Sequence, residues 1–359
     1  MKAIFRSFLT ILGIISLSTH AGIRPSFGLE ECAWSATDIV VATKGDEIDG
    51  VVKVLEVWKG ALHVGDMISV PDLASFKNKD ARLIHDPPFL EKKPNAPAQY
   101  VTCTRMILFL KKKANAANAA KGADQPHDSW EGASFWKQIS VSVVWVEGKQ
   151  TYTFQQLINP GPSELVAHGD DEKAIKDSVL KLKKVQDELA KASAIIDKSK
   201  RAELLRPLTQ SEIYMVKQAA FAELKNCGEE AMPTLRKMLA DPKLLSLHED
   251  VIDVLQEVGG VKVGGELSAI LQGELKFWRA TGPKLKTGWW NESTDVDPLR
   301  SRYGKALHSL YALKKIRFAG CKSVVTEFRD FWRSLPQLED KSGLNQMSEE
   351  CDNVLQSLP

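Results

Sequence analysis

Residues 216–239 read VKQAAFAELKNCGEEAMPTLRKML, with Cys227 directly before a glycine and two glutamates. A cysteine at a sharp turn can serve as a nucleophile when a neighbouring base or a helix N-terminus stabilises its thiolate. Here, however, Cys227 continues an apolar stripe of helical spacing that starts at Val216, and no histidine lies nearby in the sequence. We therefore interpret Cys227 as a core residue at the end of a helix, at the corner of a structural unit.

Three histidines have an acidic neighbour: His85 in IHDPP, His127 in PHDSW and His168 in AHGDD. A histidine near a carboxylate can act as a general base or bind a metal ion. Such pairs are also common in solvated turns, and the aspartates after His168 fit the capping of the helix that follows. The motifs HExxH, GxSxG and GxGxxG and the Walker-type loop are absent. The sequence therefore predicts no catalytic residue, no metal ligand and no cofactor.

A third candidate is the segment FWRATGPKLKTGWWNESTDVDPL, which interrupts the helical pattern of the C-terminal half. It places Trp289 and Trp290 beside Lys284 and Lys286 in a glycine-flanked loop. Exposed aromatic side chains anchor protein interfaces and stack on sugars or peptides. These four residues are our predicted binding site. The alternative is a loop that folds back and buries its tryptophans over the end of a helical array.

The N-terminus has the layout of a secretory signal peptide. Lys2 and Arg6 precede a short apolar core, and small residues follow it. The core is too short for a stable transmembrane helix, which needs roughly 20 apolar residues. Cleavage after Ala21 or after Gly28 fits the small residues, and an amphipathic or buried N-terminal helix is the alternative. We expect residues 1–28 to be the signal peptide and the protein to be exported, to the periplasm or out of the cell.

Charge and hydropathy argue against several classes of partner. If cleavage follows Ala21, loss of Lys2 and Arg6 lowers the formal net charge from +2 to zero, and no basic block remains. A neutral chain offers no electrostatic footprint for nucleic acid or for an anionic membrane surface. Beyond the N-terminus, no apolar run has the length of a transmembrane helix. We therefore expect no nucleic-acid partner and no integral membrane segment after processing.

The chain contains five cysteines, and none is a CxxC partner of another. The sequence therefore encodes neither a zinc ribbon nor a thioredoxin-type redox pair. Disulfides are possible outside the cytoplasm, but a chain of this size does not need them in order to fold. The odd number means that at least one thiol is free or pairs between chains.

The first half of the chain is typical of β-strands, because its apolar residues come in short runs rich in valine, isoleucine and aromatic side chains. These runs are DIVVAT, GVVKVLEVWKG, DMISV, YVTCTRMILFLKK and QISVSVVWVEGKQTYTF. Residues 106–110 have no polar interruption and predict a strand covered on both faces, and Gly60 and Gly65 mark a hairpin. Five or so strands predict a small β barrel or sandwich over residues 29–160.

Three features follow one another in this half: Cys32 before ATDIVV, the hairpin KG…VGDMISV, and a second cysteine, Cys103. Together they resemble the OB barrels of the netrin and metalloproteinase-inhibitor kind. In the inhibitors of that family the cysteine is the mature N-terminal residue and acts directly on a metal. Glu30 and Glu31 precede Cys32, which argues against that mechanism here. A Cys32–Cys103 disulfide is the pairing that we predict, and two buried thiols are the alternative.

The second half is typical of paired helices. Its first part is rich in Lys, Glu, Ala and Leu with amphipathic spacing, which predicts a connecting helix within residues 161–200. After it, Gly228 separates two amphipathic stretches and is predicted to end the first helix in a left-handed conformation. Gly259 follows after one period of about 30 residues and Gly320 after about two further periods, each again between two amphipathic stretches.

The period, the helix–turn–helix form and the residues 216–239 resemble HEAT-like repeats. Such helix pairs cannot bury their apolar faces alone and therefore stack into a solenoid. The resemblance implies a HEAT-like helical domain over residues 201–359, and a final helix with Met347, Cys351 and Val354 is suited to cap it. An irregular helical bundle is the alternative.

The predicted protein is thus an α+β chain with a small OB-like β domain followed by a helical repeat domain. Our leading hypothesis is a non-enzymatic binding or scaffolding protein that holds an extracytoplasmic protein or peptide on its helical surface, because solenoids bind through extended surfaces. One alternative is a glycan or small ligand bound by the barrel near Trp130, Phe135 and Trp136. Another is a hydrolase whose site is assembled from distant histidine and aspartate residues.

Overall fold

The computed structural model describes residues 27–44, 50–75, 82–84, 99–100, 105–112, 130–133, 142–155, 164–285, 289, 298–335 and 347–359. The chain divides after Gln186 into two compact units. The N-terminal unit is built around a β-sheet and the C-terminal unit consists of helices, so the predicted α+β class is confirmed. No helix among the described residues is both long enough and apolar enough to cross a bilayer.

The described part of the N-terminal unit has three helical segments and ten strands. The helices are α1 (Leu29–Ser35), α2 (Asp72–Ser75) and α3 (Glu172–Ser193), of which α3 continues past Gln186. The strands are β1 (Asp38–Lys44), β2 (Val51–Lys59), β3 (Met67–Ser69), β4 (Arg82–Ile84), β5 (Gln99–Tyr100), β6 (Arg105–Lys112), β7 (Trp130–Gly132), β8 (Val143–Glu147), β9 (Gln150–Gln155) and β10 (Glu164–Ala167).

The strands form one open sheet in the order β3-β2-β1-β6-β8-β9-β10-β4-β5, with β7 also paired to β6. All described pairs are antiparallel except β10 with β4. Because β3 and β5 do not pair with each other, the described strands do not close into the predicted barrel. Closure requires a consistent stagger between all neighbouring strands, and neither strand number nor composition encodes that stagger.

The central strands are covered on both faces, as the uninterrupted apolar run of β6 predicts. Residues 106–110 are all buried, with at most 3 % of each exposed. Met106, Leu108 and Leu110 face one apolar core together with Trp145. The alternate residues of β6 point to the opposite face, since successive side chains of a strand alternate.

The predicted strand 138–154 is in fact interrupted within its described part. Gly148 adopts a positive φ of 60° and separates β8 from β9, which pair as an antiparallel hairpin. A left-handed turn residue in a two-residue loop suits the twist of neighbouring strands. The hairpin predicted at Gly60 and Gly65 is confirmed, because β2 pairs with β3 and both glycines have positive φ.

The C-terminal unit contains eight helices in its described part. They are α4 (Lys198–Leu205), α5 (Tyr214–Cys227), α6 (Met232–Ala240), α7 (His248–Gly259), α8 (Gly264–Thr281), α9 (Pro298–Ile316), α10 (Lys322–Arg333) and α11 (Met347–Ser357). Helix α7 packs against α5, α6 and α9, α8 packs against α9 and α10, and α11 packs against α9 and α10. The apolar faces of these helices merge into one core.

The corner predicted at Gly228 is confirmed, because Gly228 ends α5 with a φ of 68°. At the second corner the left-handed residue is Gly260, one position after the predicted Gly259. The third prediction is wrong: α9 ends at Ile316, and Arg317 rather than Gly320 has the positive φ, 51°. Glycine is preferred in this conformation but is not required for it, so sequence alone misplaced the corner.

Between α4 and α8, ion pairs join residues whose separation in the sequence is close to the predicted repeat length. Glu203 and Lys237 are 34 residues apart, Glu229 and Lys262 are 33 apart, and Arg236 and Glu266 are 30 apart. Each pair is well exposed, so solvent screens its charges and it adds little to stability. Their similar separation in the sequence is informative, because it indicates that corresponding positions of successive helix pairs lie side by side.

Candidate functional site

The predicted surface anchor Trp289 is a core residue. Its side chain is only 6 % exposed, and its ring centroid lies 5.6 Å from that of Trp278 and 6.3 Å from that of Tyr303. Trp278 in turn contacts Trp332 at 5.2 Å. This cluster joins α8, α9 and α10. Trp289 is therefore buried and not exposed, because burial of an indole ring among other rings is more favourable than its exposure.

Of the other predicted site residues, the structure describes Lys284 and Cys32. Lys284 is exposed in a 3₁₀ turn, Gly282–Lys284, while Lys286 and Trp290 lie outside the described residues. Cys32 is buried in α1, and Cys103 lies outside the described residues, so their pairing stays a prediction.

The structure describes only some of the residues that were named for the two alternative functions, glycan binding and hydrolysis. Trp130, proposed for glycan binding, is 5 % exposed, and Phe135 and Trp136 lie outside the described residues. Of the three histidines with acidic neighbours, His168 is described and lies 3.8 Å from Asp170. Among the described ranges, no group of three or more His, Cys, Asp or Glu is arranged to hold a metal ion.

A cleft that sequence reasoning missed lies at the start of α5. Its volume is ≈ 470 Å³, and it opens between the segment before α5 and the 3₁₀ turn Pro242–Leu247. Its lining residues are Gln210, Ser211, Glu212, Tyr214, Lys217, Lys243, Leu244, Ser246 and Leu247. The volume is in the range of natural ligand-binding clefts. No motif marks these residues in the sequence, because they come from two separate segments that only the packing of α5 against the 3₁₀ turn brings together.

The cleft combines an aromatic side, an apolar floor and polar edges. Tyr214 is 64 % exposed, which is high for a ring next to a helical core. Leu244 and Leu247 are 7 % and 9 % exposed and belong to the core of the helical unit. An exposed tyrosine beside buried leucines is an arrangement that protein interfaces use for an anchoring side chain, because the ring offers apolar area and a polar hydroxyl.

The charges of the cleft are only partly compensated. Lys217 binds Asp250 on α7, with 2.7 Å between Nζ and the carboxylate oxygen. Lys243 and Glu212, in contrast, form no ion pair with any other residue that the structure describes. The N-cap of α5 is Ile213, which has no side-chain acceptor for the first amide groups of the helix. The cleft therefore presents one uncompensated cation and one uncompensated anion to a ligand.

Asp250 has two acidic neighbours on α7, Glu249 and Asp253. Glu249 and Asp253 on α7 face His308 of α9, whose two ring nitrogens lie between the two carboxylates. Burial lowers the pKa of His308, but the hydrogen bond that its ring donates to Asp253 and the charges of Asp253 and Glu249 outweigh it, so the pKa is raised above its ordinary value. Burial raises the pKa of Glu249, and the charge of His308 opposes that shift.

The thiols of the helical unit are not suited to nucleophilic chemistry. Cys227, Cys321 and Cys351 are fully buried, which confirms that Cys227 is a core residue. Burial raises the pKa of all three thiols, that of Cys351 to about 12, and only the thiolate is a good nucleophile.

We therefore expect native Cys227, Cys321 and Cys351 to react with a maleimide about a hundredfold more slowly than in urea, because they must wait for local opening. Peptide mass spectrometry after a timed labelling pulse reads each cysteine separately. Rapid native labelling of Cys227 would contradict its assignment to the core.

No protein-family model matches the chain, and neither the curated proteins nor the solved structures include a significant match to it.

Proposed function

We propose that this chain is an exported, non-enzymatic binding or scaffolding protein whose helical unit holds a segment of an extracytoplasmic protein or peptide. The observation that carries the proposal is the cleft of ≈ 470 Å³ with Tyr214 exposed above Leu244 and Leu247. An apolar floor beside an accessible aromatic ring supplies the contact area from which most binding energy in protein interfaces arises.

The ligand is an extended segment with one apolar side chain between an acidic and a basic residue. The apolar side chain packs on the leucine floor beside Tyr214, the acidic residue pairs with Lys243, and the basic residue pairs with Glu212. Because both charges of the cleft are uncompensated by described neighbours, a ligand of this pattern neutralises them without breaking an existing ion pair. Backbone groups of the segment bind Gln210, Ser211 and Ser246.

The helical framework supports this use as a binding surface. Ion pairs at separations of 30 to 34 residues and the glycine corner at Gly228 are consistent with the HEAT-like stacking that the sequence resembles. Stacked helix pairs form a rigid scaffold, so a ligand in the cleft does not have to order the site on binding.

The test begins with random peptides displayed against the full mature chain, followed by affinity measurements on variants. We expect selected peptides to lose about 10- to 30-fold in affinity with Tyr214→Ala, the loss typical of an interface hot spot. Lys243→Glu should weaken binding about tenfold, and added salt should reduce the difference between this variant and the wild type.

Matched controls are Tyr311→Ala and Lys276→Glu, which alter an exposed tyrosine on α9 and an exposed lysine on α8. Both should bind selected peptides like the wild type. Selected peptides that bind Tyr214→Ala and Lys243→Glu with unchanged affinity would rule out the cleft as the binding site, and a selection that yields no specific peptide would contradict the proposed function itself.

A further inference from the structure

The contact between α7 and α9 includes a histidine held by two carboxylates of the same neighbouring helix. The Nδ1 atom of His308 lies 3.0 Å from a carboxylate oxygen of Asp253, and its Nε2 atom lies 3.5 Å from one of Glu249. Glu249 and Asp253 are one helical turn apart on α7, so both side chains point to the same face. The imidazole thus bridges α7 and α9 through both of its nitrogens.

The backbone of α9 leaves room for this arrangement at Gly304, one turn before His308. A Cβ atom at position 304 would lie only 1.7 Å from Oε1 of Glu249. The Glu249 carboxyl therefore occupies the space that a side chain at this position would fill. This close approach positions Glu249 beside His308 independently of any charge on the imidazole.

Several other charges on the elements around α9 have partners of opposite sign. On α7, Asp250 pairs with Lys217 of α5, and Glu257 pairs with Lys315. On α8, buried Glu274 pairs with Arg302 and Lys305. On α11, Glu350 pairs with Lys314, and in the 3₁₀ turn before α7 Lys243 is exposed. At the start of α7, His248 is a second titratable group near α9, and burial and the charge of Lys305 lower its pKa.

For Glu249 and Asp253, His308 is the ion-pair partner that the described part of the chain provides. One proton on His308 therefore decides whether the contact holds a cation between two anions or two anions without a cation.

We propose that His308 is a proton-operated clasp that tightens the packing of α9 against α7 when it is protonated and loosens it when it is neutral. The direction of the pH dependence follows from proton linkage. The folded state holds the proton on His308 more strongly than the unfolded chain, whose histidines titrate at about 6.5. The added stability is complete below that pH and disappears as pH rises through the higher value of the folded state. Protonation of Glu249 at lower pH also stabilises the folded state, because burial raises the pKa of its carboxyl group.

The direct test is histidine NMR on the full chain, with the His308 resonance identified by its loss in His308→Gln. We expect His308 to titrate above 6.5, and Asp253→Asn to lower its midpoint while preserving the shape of the side chain. A purely structural histidine would not respond in this way. Titration of His308 at or below 6.5 would overturn the proposal.

The mechanical consequence is measured by amide hydrogen exchange, corrected for the intrinsic effect of pH. Peptides from α7 and α9 should lose protection by a few-fold between about pH 6 and pH 8 in the wild type, because the stabilising proton leaves His308 as the pH rises. His308→Gln should abolish this dependence. His63→Gln is the matched control, because His63 is 84 % exposed beside Asp66 in the N-terminal unit. Equal pH dependence in the wild type and His308→Gln would also overturn the clasp.

Discussion

Trp289→Ala is expected to lower the free energy of unfolding of the helical unit by about 3–5 kcal/mol, the cost of replacing a buried aromatic side chain with alanine. The indole is 6 % exposed and packs against Trp278 and Tyr303, so its removal leaves a cavity at the junction of three helices. Urea denaturation followed by far-UV circular dichroism, which is dominated by helices, measures the loss.

The matched control is Lys284→Ala, which lies in the same connection between α8 and α9 but is exposed. Its unfolding should differ from that of the wild type by less than about 0.5 kcal/mol. The comparison also separates the two interpretations of this segment. A Trp289→Ala variant of normal stability that fails to bind selected peptides would return Trp289 to the role of a surface anchor.

Gly60→Ala is expected to destabilise the sheet unit by about 3–5 kcal/mol, from backbone strain of about 1–2 kcal/mol and the loss of hydrogen bonds to a buried carboxylate. Gly60 has a φ of 105°, and a Cβ atom there would lie 2.0 Å from Oδ1 of Asp38. That oxygen accepts hydrogen bonds from the amides of Ala61 and Leu62 at 2.8 and 3.2 Å. Because Asp38 is 4 % exposed, its displaced carboxylate cannot regain these bonds from water.

Gly65→Ala provides the control for backbone strain alone. Gly65 has a φ of 95° in the same hairpin, but a Cβ atom there meets no atom within 4 Å. We expect a loss of about 1–2 kcal/mol for this variant. Thermal unfolding of both variants, with hydrogen exchange of β1 and β2 to identify the transition, gives the difference. Equal losses for Gly60→Ala and Gly65→Ala would show that Asp38 does not hold this hairpin.

Local features of the sequence determined most of the secondary structure. Continuous burial of residues 106–110 followed from an unbroken apolar run, and the hairpin followed from Gly60 and Gly65. The burial of Cys227 followed from helical periodicity, and its helix ends at Gly228 as predicted. These predictions succeed because backbone preference and the alternation of apolar residues act between neighbours in the chain.

The open sheet, the third helical corner and the burial of Trp289 were decided by tertiary structure. Whether β3 and β5 meet depends on the stagger of every strand between them, and whether Trp289 is exposed depends on the rings of α8, α9 and α10. The amino-acid composition around Trp289 is the same whether its side chain is exposed in a loop or buried between helices. The sequence therefore identified the residue as important but not the surface to which it belongs.

The cleft beside Tyr214 and the clasp at His308 also arise only from tertiary packing. Each combines side chains from separate segments: residues before α5 meet the 3₁₀ turn, and α7 meets α9. No spacing rule relates Glu249 and Asp253 to a histidine on another helix. Most helices and strands could be predicted from the amino-acid sequence, because those preferences are local. Which side chains share a site could not, because such contacts depend on how distant segments pack.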